Sequence, residues 1–281
     1  LVGSEMCIRD SIYRDGRVHA TFNQTGARTG RLSSSDPNMQ NQPPYIRGAF
    51  KPYPGYRLLA ADYAQLEMRI LAHFSGDETL IAAINGGQDV HTATAAKMYK
   101  VSYEAIMEAR RKDDADEDLL PSDKELLQFR KGAKAINFGL MYGQGAGALS
   151  GTLNCSMDEA RMLIRQYFQA FPRITEYFKK AIDQATDDGF SMTILGRRRQ
   201  LPGIHSSIKS ERAQAERRVK NSPIQGTAAD ITKLAMIKLY EDTLIHNLGV
   251  KLLLQIHDEV VMEVPEEIVN NKEFNLSLIH I

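Results

Sequence analysis

The sequence predicts an α+β fold, on three observations. Short apolar runs of strand length stand at 58–61 (LLAA) and, as a pair, at 252–256 (LLLQI) and 260–264 (VVMEV), the pair reading as a hairpin with acidic residues at its tip. In several stretches between 89 and 239 apolar residues instead recur at helical spacing over lengths that exceed strands. A chain of 281 residues also buries a substantial core and, by length, holds roughly two domains.

Taken in order, residues 17–22 alternate like a strand, and 25–44 (TGARTGRLSSSDPNMQNQPP) form a long polar loop. Arg28 and Arg31, among hydroxyls and amides, suit a phosphate-sugar backbone or a mobile surface. The strand at 58–61 delivers Asp62 to the start of a helix whose buried face is Leu66, Ile70, Leu71 and Phe74. Asp62 there is either a metal-binding or catalytic carboxylate or a helix cap, and Glu67 lies one turn on. Residues 89–109 predict one helix with His91 near its start, a position more often structural than chemical, and Tyr99 and Tyr103 further on. The charge run at 110–125 reads as a solvated insertion, and 143–151 (GQGAGALSG) as a flexible helix exit. Ser156 with Glu159 forms a capping box that opens a helix ending near Pro172, and another helix closes at Gly189. The turn at 196–202 (GRRRQLP) suits phosphate contact or solvated surface. Ser222 with Pro223 predicts a helix start, with Asn221 and Gln225 exposed and Ile224, Ala228, Ile231, Ala235 and Leu239 in one apolar stripe.

Composition narrows the class. Lys plus Arg number 35 against 35 Asp plus Glu, so any nucleic-acid site must be built locally. Cys7 and Cys155 suggest neither a disulfide framework nor a CxxC metal site, and a reducing, cytoplasmic setting is expected. No apolar run is long enough for a membrane span and no secretory signal opens the chain, so no membrane partner is expected. Residues 1–11 and 275–281 fit no element and read as extraneous scars.

The stretch 130–143 (RKGAKAINFGLMYG) is the most informative. As a helix it sets Arg130, Lys134, Phe138 and Tyr142 at successive i+4 positions, two cations followed by two aromatics on one face. An ordinary amphipathic helix separates charge from its apolar stripe. This one suits a ligand with an anionic end and a flat end, such as a nucleoside triphosphate. A solvated basic turn followed by buried core aromatics gives the same spacing.

Read together, TGRLSSSDPNMQNQP, DYAQLEMR, RKGAKAINFGLMY, SPIQGTAAD and QIHDEVVME closely resemble, in that order, the polymerase domain of bacterial DNA polymerase I, the A family of DNA polymerases. The resemblance covers nearly all of residues 12–268. It implies a right-hand polymerase: palm with an antiparallel sheet at 12–76, helical fingers at 77–203, and the rest of the palm with the catalytic hairpin at 204–268. The family's thumb precedes the Arg31 loop, so a fragment with the thumb missing is expected, of uncertain activity by itself. The implied function is template-directed, magnesium-dependent transfer of deoxynucleotides to a primer 3′-hydroxyl with release of pyrophosphate, in replication or repair. Primer-template DNA and deoxynucleoside triphosphates are the implied partners, and a monomer is expected.

Phosphoryl transfer needs in-line positioning and charge neutralisation, which two magnesium ions about 3.5–4 Å apart provide. By resemblance, Asp62 and Asp258 hold the two Mg2+ ions, Tyr63 adds its backbone carbonyl, and Glu259 is an auxiliary catalytic carboxylate. Arg130, Lys134 and His91 go to the triphosphate, Phe138 to the incoming sugar and Tyr142 to the templating base. Phe138 in place of Tyr implies poor acceptance of dideoxynucleotides. Glu67 resembles the residue that excludes a ribose 2′-hydroxyl. Arg31, Asn221, Gln225 and His257 resemble residues that follow primer and template through the minor groove and backbone. A single-subunit RNA polymerase is the nearest rival, with Glu67 the discriminating feature; a non-catalytic nucleic-acid-binding remnant is the other.

Overall fold

A computed structural model of the chain describes residues 11–272 and Phe274. Residues 1–10 and 275–281, which carry most of the expected end scars, lie outside this description. Contacts sort the chain into two compact units, Leu1–Leu66 with Gln225–Ile281, and Glu67–Ile224. Strands and helices both build the fold, which is α+β.

The first unit opens with β1 (Thr21–Asn23) and β2 (Ser33–Ser35), an antiparallel ladder. The strand expected at 17–22 is displaced. Gly16, at φ +76°, turns the chain so that Val18 makes only an isolated bridge to Ile12, and regular pairing resumes at Thr21. The polar loop is more ordered than its composition suggests: it contains β2 and a 3-10 turn, Met39–Asn41, capped by the Asn38 side chain.

The main sheet has β7 (Glu259–Pro265) at its centre, flanked by β3 (Tyr56–Asp62) and β6 (Lys251–Ile256), all antiparallel. Period-two alternation turns Val260, Met262 and Val264 inward, where they pack with Leu239, Ile245, Ile268 and Phe274. Between two of these lies Glu263, a carboxylate with no exposed surface. Arg17 reaches it at 3.4 Å, the Tyr53 N–H at 2.8 Å and Lys251 at 3.9 Å. The Arg17 guanidinium also lies 4.4 Å over the Tyr53 ring. This network compensates a charge that burial would otherwise make strongly unfavourable.

The second unit is mainly helical. The chain enters it within α1 (Leu66–Ser75), on which Leu66, Ile70 and Leu71 are buried and Phe74 half-buried against Tyr177. Asp77 caps α2 (Glu78–Asn85), and Asp89 caps α3 (Val90–Tyr99). The single helix expected over 89–109 is two, because Lys100 adopts left-handed backbone (φ 55°) and Ser102 caps a fresh helix, α4 (Tyr103–Asp114). The charge run is exposed over residues 113–118, as expected, and its ends are built into helices. Its first residues finish α4, and Pro121 begins α5 (Pro121–Met141), with Asp123 buried and accepting from the Leu120 N–H and Lys112.

The Gly-rich exit folds as α6 (Ala146–Leu153), anchored by fully buried Leu149. Gly143 has φ +72°, and a Cβ there would lie 2.8 Å from Arg217 Cγ, so the close approach after α5 requires glycine. Ser156 and Glu159 form both bonds of their capping box at the start of α7 (Met157–Ala170). α8 (Pro172–Asp188) stops at Gly189 in the left-handed conformation. The basic turn is one arm of a hairpin, β4 (Phe190–Met192) with β5 (Arg198–Gln200). Ser222 and Pro223 do not start a helix; they lie inside α9 (Lys209–Glu241). Pro223 lacks an N–H, and neighbouring Ser222 accepts a hydrogen bond from Arg199 at 2.7 Å. After α9, a short helix, α10 (Thr243–Asn247), leads back to β6. Among the described residues no helix is long and apolar enough to cross a membrane.

The Glu263 network yields a stability expectation. Glu263→Ala strands two cations and a backbone N–H, and should lower the unfolding free energy by about 3 kcal/mol. Urea denaturation at low and high salt checks it, since a surface-type pair would change by less than about 1 kcal/mol and fade with salt.

Candidate active site

Strand pairing alone brings the sequence-predicted carboxylates together. β3 ends at Asp62, whose partner across the ladder is Glu259, and the Tyr63 N–H donates to the Asp258 carbonyl at 3.4 Å. β6 and β7 are joined by only two residues, His257 and Asp258. A two-residue hairpin loop needs positive φ at its first position to match strand twist, and His257 supplies it at φ 59°. A non-glycine residue there is strained, and the turn is braced. Buried Gln40 donates through Nε2 to the Gln255 carbonyl at 3.0 Å and to its Oε1 at 3.1 Å, while Gln255 Nε2 donates to the His257 carbonyl.

Burial, then the charges of Asp258 and Glu259, push the Asp62 carboxyl above its usual range. A cation between these groups relieves that repulsion. Among the described residues no set of three or more His, Cys, Asp or Glu side chains forms a complete cage for a metal. The donor set fits magnesium, a hard cation that usually takes one or two carboxylates and completes its shell with water and substrate phosphate.

In the second unit α5 presents the expected stripe. Lys134 is exposed, Arg130 and Phe138 are half-exposed, and Tyr142 follows as the C-cap, its ring 6.1 Å from that of Phe138. The Tyr142 hydroxyl donates to Glu67 at 2.9 Å, and Glu67 is otherwise buried. His91 is also buried, with its ring 5.4 Å from Phe138. These six residues therefore belong to one neighbourhood, which sequence spacing alone gave only for the four on the helix.

Arg130 is held by residues that the motifs did not mark. It makes two bonds to Asp89, 3.2 Å from Nε and 2.9 Å from Nη2, and a third to Thr92 at 3.1 Å. Asp89 meanwhile caps α3, and its own N–H donates to the Tyr103 hydroxyl at 2.9 Å. Burial acts to raise the Asp89 carboxyl, but hydrogen bonds from Arg130 and Thr92 outweigh it and hold the group at about 2. Its Asn/Asp-type cap position was a sequence signal for a helix start, not for a partner on another helix.

Of the residues expected to follow nucleic acid, Arg31 lies between β1 and β2, and His257 is exposed at the hairpin tip. Asn221 and Gln225 are one turn apart on α9, both half-buried rather than exposed, since α9 continues upstream of them. The Asn221 side-chain oxygen is buried and has no hydrogen-bond partner among the described residues.

The site has a pH signature. Burial foremost, with Arg130 and Lys134 against the opposing pull of Asp89, lowers His91 from 6.5 to about 4. A folded pKa below the unfolded one contributes stability above pH 6.5 that is lost as pH falls towards 4, up to about 3 kcal/mol. Unfolding free energies measured between pH 7 and 4 should fall in the wild type, with a shallower slope in His91→Gln.

Comparison with known proteins gives the family. A family profile for DNA polymerase family A matches residues 6–115 and 120–277, breaking only within the charge run. The thermostable DNA polymerase I of Thermus aquaticus is 44% identical over 260 residues, 90% of this chain and 29% of that protein. DNA polymerase I of Mycobacterium bovis is 42% identical over 261 residues, 90% of this chain and 27% of that protein. The chain thus spans under a third of the length of these relatives. Among solved structures, the POL domain of Pol1 from M. smegmatis, in complex with DNA primer-template and dNTP, superposes with a TM-score of 0.85 at 40% identity, covering 97% of this chain and 46% of that one. With nearly the whole length matched, the chain belongs to DNA polymerase family A.

Proposed function

We propose that this chain carries the nucleotidyl-transfer site of a template-directed DNA polymerase, the sheet of the first unit serving as palm and the helices around α3 and α5 as fingers. The observation that carries this reading is the meeting of Asp62 with Asp258 and Glu259 at one end of the β3–β7 ladder, in a chain of this family. The solved relative bound to primer-template and dNTP supports the same two partners here.

Asp62 and Asp258, with the Tyr63 carbonyl, would hold two Mg2+ ions, whose chemistry is to favour the primer 3′ alkoxide and neutralise the triphosphate. Glu259 adds negative charge beside them. Arg130 is oriented in advance by Asp89, and exposed Lys134 one turn on adds the second cation for phosphate oxygens. Phe138 packs against the sugar, and Tyr142 extends that aromatic surface towards the templating base. Glu67, its position fixed by the Tyr142 hydroxyl, closes the space that a 2′-hydroxyl would need. Arg31, Asn221, Gln225 and His257 contact primer and template without reading sequence.

Extension of a primed DNA template in Mg2+ tests the assignment directly. Asp62→Ala and Asp258→Ala should each abolish incorporation, and Mg2+ should raise the melting temperature of the wild type but of neither variant. An Asp258→Ala protein that still extends the primer overturns the reading. Lys134→Ala should weaken nucleotide binding by about 10-fold or more while duplex affinity stays nearly constant. Equal loss of both affinities counts against the stripe as a triphosphate site.

A further inference from the structure

Asn137, on α5 between Lys134 and Phe138, has no exposed surface, and neither does Thr94 on α3. Their hydrogen bonds form a chain whose shortest contacts set the donors. The Thr94 hydroxyl has a single proton and lies 2.8 Å from the Val90 carbonyl, which can only accept. That proton being committed, Thr94 Oγ1 must accept from its other neighbour. The shorter contact is to the Asn137 amide nitrogen, at 3.1 Å against 3.4 Å for the amide oxygen, and in this orientation the nitrogen is the donor. The same nitrogen lies 3.0 Å from His91 Nδ1. An NH2 group only donates, so Nδ1 must be an unprotonated acceptor and the ring proton must sit on Nε2.

We propose that Asn137 is a positioning residue that locks His91 in its neutral Nε2–H form, so that the ring offers the triphosphate a single uncharged donor. The inference rests on the reading of His91 as a triphosphate contact. Protonating Nδ1 would set donor against donor in a fully buried place, so the amide opposes the imidazolium. The charged groups around the ring are Asp89, which favours a cation there, and Arg130 and Lys134 on α5, which disfavour one. With Arg130 and Lys134 already supplying charge, a neutral third donor adds a directional bond without adding repulsion among cations. Its protonation state then stays constant across the neutral range.

The test is the two-bond 1H–15N correlation of the imidazole rings in the 15N-labelled chain, with His91 assigned by loss of its signals in His91→Gln. The expected result is an Nε2–H pattern for His91 from pH 6 to 8. Asn137→Asp preserves size but replaces the donor with an acceptor, and should turn His91 into an imidazolium with its midpoint raised by at least one pH unit. Thr94→Val releases the amide and should produce a mixture of tautomers. Nucleotide affinity should be flat from pH 6 to 8 in the wild type and become pH-dependent in Asn137→Asp. A wild-type His91 found as Nδ1–H or as imidazolium at pH 7 overturns the proposal, as does an Asn137→Asp variant with an unchanged midpoint. If the lock is found but His91→Ala binds dNTP as tightly as wild type, the triphosphate reading fails instead.

Discussion

Setting Asp62 opposite Glu259, with Asp258 beside them, holds like charges at one end of a strand pair. Directly opposed residues in a ladder sit about 5 Å apart, where two carboxylates near a protein surface repel by roughly 3 kcal/mol. The ladder has to supply the opposing force. It does so with seven consecutive β3–β7 pairs and an inward face of Val260, Met262 and Val264 packed on Leu239 and Ile245. The Glu263 network fastens the same strand to Arg17, Tyr53 and Lys251. The buried glutamines hold the strained turn at His257. The carboxylates proposed to bind metal are thus kept in place by neutral packing and by charges that are paired elsewhere.

The second unit uses the opposite strategy. Its cationic stripe is partly balanced within the fold, because Asp89 grips Arg130 through both oxygens. Bidentate pairing fixes a guanidinium plane and removes much of the side-chain entropy that a ligand would otherwise have to overcome. Lys134, with no such tether among the described residues, stays exposed on a flexible stem. The two cations therefore differ in kind: one is oriented and partly neutralised, the other adaptable.

How much of this was legible in the sequence follows from the range of the forces involved. The strand delivering Asp62, the hairpin, the α5 stripe, the capping box at Ser156 and the stop at Gly189 all depend on neighbours within a few residues, and each stands in the structure. The break between α3 and α4 was hidden because Lys100, an ordinary helix former, takes a left-handed conformation that composition does not announce. Pro223 misled for the converse reason: proline usually opens a helix, yet packing of Ile224, Ala228 and Leu239 carries α9 through it. Buried Asp123 was concealed in a run whose charge suggested solvent. The Asp89–Arg130 and Gln40–Gln255 pairs join residues far apart in the chain, and only the fold could reveal them. Such long-range partners are what turn a recognisable motif into a particular geometry.

The counting built into the hairpin has an evolutionary corollary. Side chains alternate faces with period two, so one residue inserted into β7 would exchange its buried and exposed sets and detach Glu259 from its place opposite Asp62. The two-residue connection at His257 and Asp258 leaves no slack to absorb the shift. On β6 the register already slips between Leu252 and Leu254, where a bulge takes up an extra residue without disturbing the tip. Length variation among descendants of this hairpin should therefore collect around that bulge and be nearly absent from Ile256 onward, even where individual side chains are freely exchanged.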